Sequence, residues 1–209
     1  MITHTIDRDL RLLEVSDIEP SHQRVPRELL QWAREYLCRP HADLGRRGSV
    51  CPYTQASIDK GLFYISVRND VPETAAEMAA SLEPYRDWFE QLAPREAPRS
   101  LFTTILVAFP GLARENFGVI DEAQRILKQS YLWRGLMIGE FHDGPPDTPG
   151  LWSPDFRPFR CPIPLLGIRH MVNTDLPFVR DDPEAVAAYL RLFADSVPSH
   201  LRDMLAAQQ

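Results

Sequence analysis

The sequence lacks the features that would assign it to a membrane, to nucleic acid or to a secreted disulfide-rich protein. Its apolar runs are far shorter than the roughly 20 residues of a membrane-spanning helix. It has no Lys/Arg cluster, and its formal net charge is −6, whereas phosphate binding needs a concentrated basic surface. Its first residues show no secretory signal pattern, and 3 cysteines without regular spacing form no disulfide framework. We therefore expect a cytoplasmic protein.

Several catalytic motifs are missing as well. The sequence has no Gly-x-Ser-x-Gly elbow, no Gly-rich phosphate loop and no dinucleotide-binding fingerprint, which argues against serine hydrolases, P-loop enzymes and nicotinamide-dependent enzymes. It also has neither His-Glu-x-x-His nor Cys-x-x-Cys, so a closed zinc site is not expected.

What is present indicates one globular domain over residues 1–209, because 44% hydrophobic and 25% charged residues are ordinary globular values. Helical spacing or capping patterns predict helices, and β-branched and aromatic runs predict strands. The order predicts an α/β or α+β fold with one mixed sheet of about four strands covered by helices, the last two pairing antiparallel. Residues 1–24 are expected to form an N-terminal arm. The predicted helices are 26–37, 72–92 (kinked or divided at Pro84), 112–131, one from residue 182 and one from 198, and the predicted strands are 62–67, 101–109, 136–141 and 164–172.

Proline is abundant, with 19 residues, and it is concentrated after residue 144. Residues 142–162 form a Pro-rich segment that also carries Trp152, Phe156 and Phe159. Flexible linkers usually lack aromatic residues, so we expect an ordered loop that packs on the domain. Long ordered loops in compact domains commonly serve as lids or binding loops.

Cys51 and Cys161 are each followed directly by proline. Proline removes the next backbone N–H and fixes the local turn, which leaves the sulfur available as a ligand or nucleophile. The alternative is that each cysteine is a small buried apolar residue.

The strongest physical signal is the Arg169–His170 pair in an otherwise apolar predicted strand. Buried polar groups must be bonded or paired. One interpretation is that His170 bonds a backbone carbonyl and Arg169 pairs with a carboxylate. The other is that His170 is a ligand or general base, with Arg169 as an anion clamp. His142, at the start of the Pro-rich loop, is a second candidate.

Five segments of the sequence, in its first and second halves, carry a family resemblance. Residues 49–56 (SVCPYTQA) and 62–67 (LFYISV), then 136–142 (LMIGEFH), 162–171 (PIPLLGIRHM) and 175–178 (DLPF), resemble a bacterial domain of unknown function found in natural-product gene clusters. More remotely, the order of these features is similar to that of the YqcI/YcgG-type haem proteins, which use haem in the chemistry of N-oxygenated amino acids.

The resemblance implies a haem-dependent biosynthetic enzyme, an oxidoreductase or lyase, acting on a small amino-acid-derived or N-hydroxylated substrate. The iron ligand would be His170, or His142 as second choice. Trp152 and Phe156 would pack on the porphyrin. Arg160 or Arg169 would pair with a carboxylate, and Cys51 and Tyr53 would border the pocket, completing a catalytic set of Cys51, Tyr53 and Arg169.

Two alternatives remain open. The first is a cofactor-free small-molecule-binding or accessory protein in which Arg169 holds a carboxylate. The second is a thiol enzyme with Cys51 as nucleophile and a histidine as base. A homodimer is compatible with each of them.

Overall fold

The fold is built on one mixed sheet of six strands. The structure is a computed structural model and describes residues 1–206. The strand order is β1-β2-β3-β4-β6-β5. The strands β3 and β4 are parallel, and every other neighbouring pair is antiparallel. The strands are β1 (Ile2–Thr3), β2 (Arg11–Glu14), β3 (Phe63–Val67), β4 (Thr104–Ala108), β5 (Leu136–Phe141) and β6 (Leu165–His170).

The four predicted strands correspond to β3–β6, and β5 and β6 pair antiparallel across the Pro-rich loop as predicted. The expected number of strands was too low, because residues 1–24 do not form a separate arm. They contribute β1 and β2, and Leu12 of β2 is fully buried. Strands of 2 and 4 residues are too short to show a two-residue alternation. They become strands through pairing, β2 with β3 and β1 with β2.

Helices cover both faces of the sheet. They are α1 (Val15–Ile18), α2 (Arg24–Trp32) with a π-helical continuation (Ala33–Leu37), α3 (Thr54–Asp59), α4 (Ala75–Leu92), α5 (Gly118–Trp133), α6 (Leu176–Val179), α7 (Pro183–Phe193) and α8 (Asp203–Ala206). Single 3₁₀ turns occur at Ala42–Leu44, Ser100–Phe102, Arg114–Asn116, Ala194–Ser196 and Ser199–Leu201.

The predictions for two helices had different outcomes. The start of α7 is as predicted: the Asp182 carboxylate accepts hydrogen bonds from the backbone N–H groups of Glu184 and Ala185. In contrast, α4 continues through Pro84 as one helix. Buried side chains on both sides of the proline, Leu82 and Tyr85, pack this helix into the core, so tertiary contacts outweigh the local preference for a break.

Side-chain alternation divides the core into two layers. The α4–α5 face of the sheet carries Tyr64, Ile105, Val107 and Ile168, which pack against α4 and α5. The α2–α3 face carries Phe63, Ile65, Leu106 and Leu165, which pack against α1, α2 and α3. A third cluster joins α6 and α7 to Leu132 and Met171. Among residues 1–206, no helix is both long and apolar enough to cross a membrane.

Candidate functional site

Three segments of the chain meet at the end of the α2–α3 face. Arg169 is near the end of β6, between Thr104 of β4 and Met137 of β5. The guanidinium carbon of Arg169 lies 5.9 Å from the centroid of the Tyr53 ring, within the range of a cation–π contact. The Tyr53 hydroxyl lies 3.4 Å from the Thr174 hydroxyl. The structure therefore brings together residues that are far apart in the sequence.

A buried ion pair holds Arg169 in place. Its Nη1 and Nη2 donate to Oδ2 and Oδ1 of Asp175 at 2.7 and 2.8 Å, and Nη1 also donates to the carbonyl of His170 at 2.8 Å. Burial disfavours the charge, but Asp175 outweighs it and raises the pKa of Arg169. Cys51 and Tyr53 make smaller contributions in the same direction. Cys51, Tyr53 and Arg169, the predicted catalytic set, thus lie within electrostatic range of one another.

One edge of the Arg169 guanidinium remains open. The group carries five N–H donors in a planar fork, and Asp175 and the His170 carbonyl take three of them. Within residues 1–206, Nε and the outer N–H of Nη2 have no protein acceptor, and 25% of the Arg169 side chain is exposed. Two parallel N–H groups of this kind match a carboxylate in two-point geometry.

Two neighbouring glycines leave the strand surface beside Arg169 without side chains, and we call this strip the groove. Gly139 and Gly167 lie directly opposite each other in β5 and β6, and both are half-buried. A Cβ atom added at Gly139 or Gly167 would lie 3.5 or 3.2 Å from the Phe141 ring. Arg169 and Tyr53 lie at one end of this strip, and the Phe141 ring lies close to both glycines.

Two larger surface grooves lie elsewhere. One of about 840 Å³ runs along α2, and one of about 690 Å³ lies between the first residues and the start of α2. Four of the charged side chains that line the first are paired with each other, Arg24 with Glu28 and Arg34 with Glu19. We take the surface at Arg169 as the candidate site because its guanidinium is held in place by a buried carboxylate.

His170 lies on the opposite face of the sheet from Arg169. Its side chain is 3% exposed, Nε2 lies 2.8 Å from the carbonyl of Ala93, and the Phe89 ring packs edge-on at 5.0 Å. Burial lowers the pKa of His170 to about 4. The structure thus matches the first of the two interpretations of the Arg169–His170 pair: the histidine bonds a backbone carbonyl, and the arginine pairs with a carboxylate.

His142 lies beside α5, beyond the end of β5. Its Nε2 is 3.0 Å from Oδ1 of Asp121, and the Phe117 ring centroid is 4.7 Å away. Two residues earlier, Glu140 accepts a hydrogen bond from Thr148, and burial raises its pKa. Sequence analysis missed Asp121 as the partner of His142, whereas the alternation Ile138, Glu140, His142 indicates that Glu140 and His142 share a face.

The aromatic residues of the Pro-rich loop pack on the α2 side. Phe156 is 6% exposed and its ring lies 4.8 Å from that of His41, whereas Trp152 is 53% exposed. Arg160 has an exposed side chain, and its carbonyl accepts a hydrogen bond from Trp32 Nε1 at 3.1 Å. The loop is packed against α2 and the segment that follows it, as expected for an ordered loop.

The residues that the resemblance assigns to haem do not surround one space. An axial ligand needs an imidazole nitrogen that opens onto an apolar slot. His170 uses Nε2 for Ala93, His142 uses Nε2 for Asp121, and the Nδ1 atom of each is buried. Arg160 forms a backbone bridge with His142 but has an exposed side chain, Trp152 is 53% exposed, and the Phe156 ring contacts His41. In the described part of the chain, no three His, Cys, Asp or Glu side chains are grouped to hold a metal ion. These residues do not fit a haem.

Comparison with known proteins gives a family and nothing narrower. The family described as Domain of unknown function (DUF6875) matches residues 26–204. A search of curated proteins found no match, and neither did a search of solved structures. The matched range contains the whole cluster around Arg169.

Proposed function

The chain belongs to the family described as Domain of unknown function (DUF6875), and from this premise we propose that it binds a small carboxylic acid in the groove beside Arg169, without a haem cofactor. The open guanidinium edge of Arg169 is the observation that carries the proposal. Asp175 holds the opposite edge, so the donors are already oriented before a ligand arrives. A ligand that meets oriented donors loses less conformational entropy on binding.

The shape and chemistry of the groove define the ligand class. Asp175 offsets much of the charge of Arg169, so the ligand carboxylate needs further polar contacts. The hydroxyls of Tyr53 and Thr174, 3.4 Å apart, supply them at the same end. The floor of Gly139 and Gly167 leads toward Phe141 and suits a flat or apolar tail. Together these features favour a small amino-acid-derived acid.

The test is a calorimetric titration of the full chain with small aromatic and aliphatic carboxylic acids, each paired with its primary amide. We expect the acids to bind more tightly than their amides. Tyr53→Phe and Thr174→Val should each weaken binding about fivefold, since a lost hydrogen bond contributes about 1 kcal/mol. Arg125→Gln, an exposed change on α5 across the sheet, is the matched control and should bind as the unmodified chain does.

Two results would overturn the proposal. One is equal binding of acid and amide, which would show that Arg169 does not recognise a carboxylate. The other is unchanged affinity in both Tyr53→Phe and Thr174→Val. Because Arg169 also holds Asp175, these two variants probe the groove without breaking the buried ion pair.

The haem-dependent biosynthetic activity implied by the resemblance is the competing proposal, and an absorbance spectrum separates the two. We expect no Soret band after the purified protein is mixed with one equivalent of haem. A stoichiometric band that is lost in His142→Ala, with the fold retained by circular dichroism, would replace the carboxylate proposal with the haem one.

The thiol-enzyme alternative makes a different prediction. In residues 1–206, no histidine is hydrogen-bonded to the Cys51 sulfur, so the base that such an enzyme needs is not in place. We expect Cys51→Ser to keep ligand affinity within about twofold, because serine preserves the size of the side chain at the groove edge.

A further inference from the structure

Two cysteines approach each other beside the groove. Cys38 directly follows the π-helical segment, and Cys51 lies in the loop before α3. The N–H of Cys51 donates to the carbonyl of Leu37, and the N–H of Val50 donates to the carbonyl of Arg39, each at 2.9 Å. These bonds flank Cys38 on both sides. Standard bond lengths then keep the Cα atoms of the two cysteines within roughly 7 Å, near the range of about 4.4–6.8 Å found in disulfides.

The side chains of both cysteines are half-buried, and both pack against the same core cluster under α2 and α3. Burial raises the pKa of Cys38 to about 11, and the nearby Cys51 adds to the rise. On its other side, Cys51 lies within electrostatic range of the Arg169 cation. Cys51 thus has the Arg169 guanidinium and the Cys38 thiol as neighbours.

We propose that Cys38 and Cys51 form a reversible disulfide when the protein meets a hydroperoxide. Cys51 gives its proton to solvent and its sulfur attacks the peroxide. The O–O bond breaks, Cys51 becomes a sulfenic acid, and the departing alkoxide takes a proton from solvent and leaves as an alcohol. The Cys38 sulfur then attacks the Cys51 sulfur. The S–S bond forms, the S–O bond breaks, and the departing hydroxide takes the Cys38 proton to give water. A dithiol reductant reverses the change.

Cys161 differs from Cys51 in its surroundings. It is followed by proline, as Cys51 is, but it is 0% exposed, and burial raises its pKa to about 12. A buried thiol with a raised pKa is inert toward peroxides. The proposal therefore concerns the position of Cys51 between Cys38 and Arg169, and it does not depend on whether the groove binds a carboxylate.

The test uses the full chain without ligand. The chain is treated with tert-butyl hydroperoxide, denatured and labelled with maleimide. We expect two of the three thiols to be lost. Peptide mapping of the monomer should show a disulfide between residues 38 and 51. Dithiothreitol should restore both. Cys161→Ser should form the same disulfide, and Cys38→Ser should accumulate a sulfenic acid at residue 51 that dimedone traps.

Several outcomes would overturn the proposal. They are the persistence of both thiols after oxidation of the folded chain, a disulfide that includes Cys161, and a disulfide between two chains. Cys38→Ser and Cys51→Ser are small changes at half-buried sites, so circular dichroism of each variant shows that the fold is intact before thiols are counted. None of these readouts involves a carboxylate ligand, so failure here leaves the proposed function unaffected.

Discussion

Arg169 and Asp175 form two parallel hydrogen bonds, Nη1 to Oδ2 at 2.7 Å and Nη2 to Oδ1 at 2.8 Å. The same Asp175 carboxylate accepts the backbone N–H of Val172 at 2.8 Å. One buried acid therefore fixes both the arginine at the end of β6 and the turn that follows it. This arrangement leaves Nε and the outer N–H of Nη2 without a protein acceptor in residues 1–206.

Asp175→Asn should destabilise the fold by about 3–5 kcal/mol, because it removes one partner of a buried ion pair and leaves the other uncompensated. The loss is measured as the free energy of unfolding in urea. Asp181→Asn is the matched control, since the side chain of Asp181 is 89% exposed and its replacement should change stability by no more than about 0.5 kcal/mol. Equal effects of the two changes would show that the pair does not stabilise the fold.

His170 should make the fold less stable in acid. Its pKa is lowered to about 4 in the folded state, against about 6.5 in an unfolded chain. Between these values the unfolded chain binds the extra proton, so stability is fully present above pH 6.5 and is lost as the pH falls toward 4. The loss is about 3 kcal/mol. Urea unfolding across this range should show the slope, and His170→Gln should flatten it, while the exposed His22→Gln should not.

Gly45→Ala should loosen the Pro-rich loop. Gly45 has a φ of 75°, and a Cβ atom there would collide with the backbone carbonyl of Trp152. Gly61 has a φ of 67° with nothing within 4 Å of its Cβ position, so Gly61→Ala isolates the backbone strain of about 1–2 kcal/mol. We expect Gly45→Ala to be clearly more destabilising and to increase proteolysis within residues 142–162. Matching losses in the two variants would mean that the contact with Trp152 contributes nothing.

Gly139→Ala should weaken ligand binding without weakening the fold. Its Cβ would meet only the Phe141 ring, at an ordinary contact distance of 3.5 Å, so stability should stay within about 0.5 kcal/mol. A methyl group on the groove floor should reduce affinity about tenfold, or about 1.4 kcal/mol. Gly118→Ala on α5, with open space at its Cβ position, should leave affinity unchanged. Unchanged affinity in Gly139→Ala would place the ligand elsewhere.

The accuracy of the sequence prediction varied with the length of each element. Strand β5 has the predicted bounds, and β3, β4 and β6 each lie within a predicted strand, because each contains several β-branched or apolar residues in succession. The short strands β1 and β2 were missed, since they depend on pairing, β2 with β3 and β1 with β2. The expected division at Pro84 was wrong, because contacts of α4 with the core keep Ala75–Leu92 in one helix.

The site was predicted in part. Cys51, Tyr53 and Arg169 were named from the sequence and lie together, whereas Asp175 and Thr174, which complete the cluster, were not named. Asp175 follows Arg169 by 6 residues, and this spacing carries no local signal of an ion pair. The surroundings of His170 could not be predicted for a related reason. Its side chain lies on the face that α4 and α5 cover, and Nε2 is hydrogen-bonded to the carbonyl of Ala93, which is distant in the sequence.

The sequence by itself determined that Arg169 and His170 point to opposite faces, because side chains alternate along any strand. It also determined the main strands and helices, through spacing and capping that act over a few residues. Only the tertiary structure decided which face stayed partly open, which acid paired with Arg169 and which cysteines became neighbours. Those outcomes depend on how α2, α3 and the Pro-rich loop pack over the sheet, and burial and long-range contacts do not follow from local residue order.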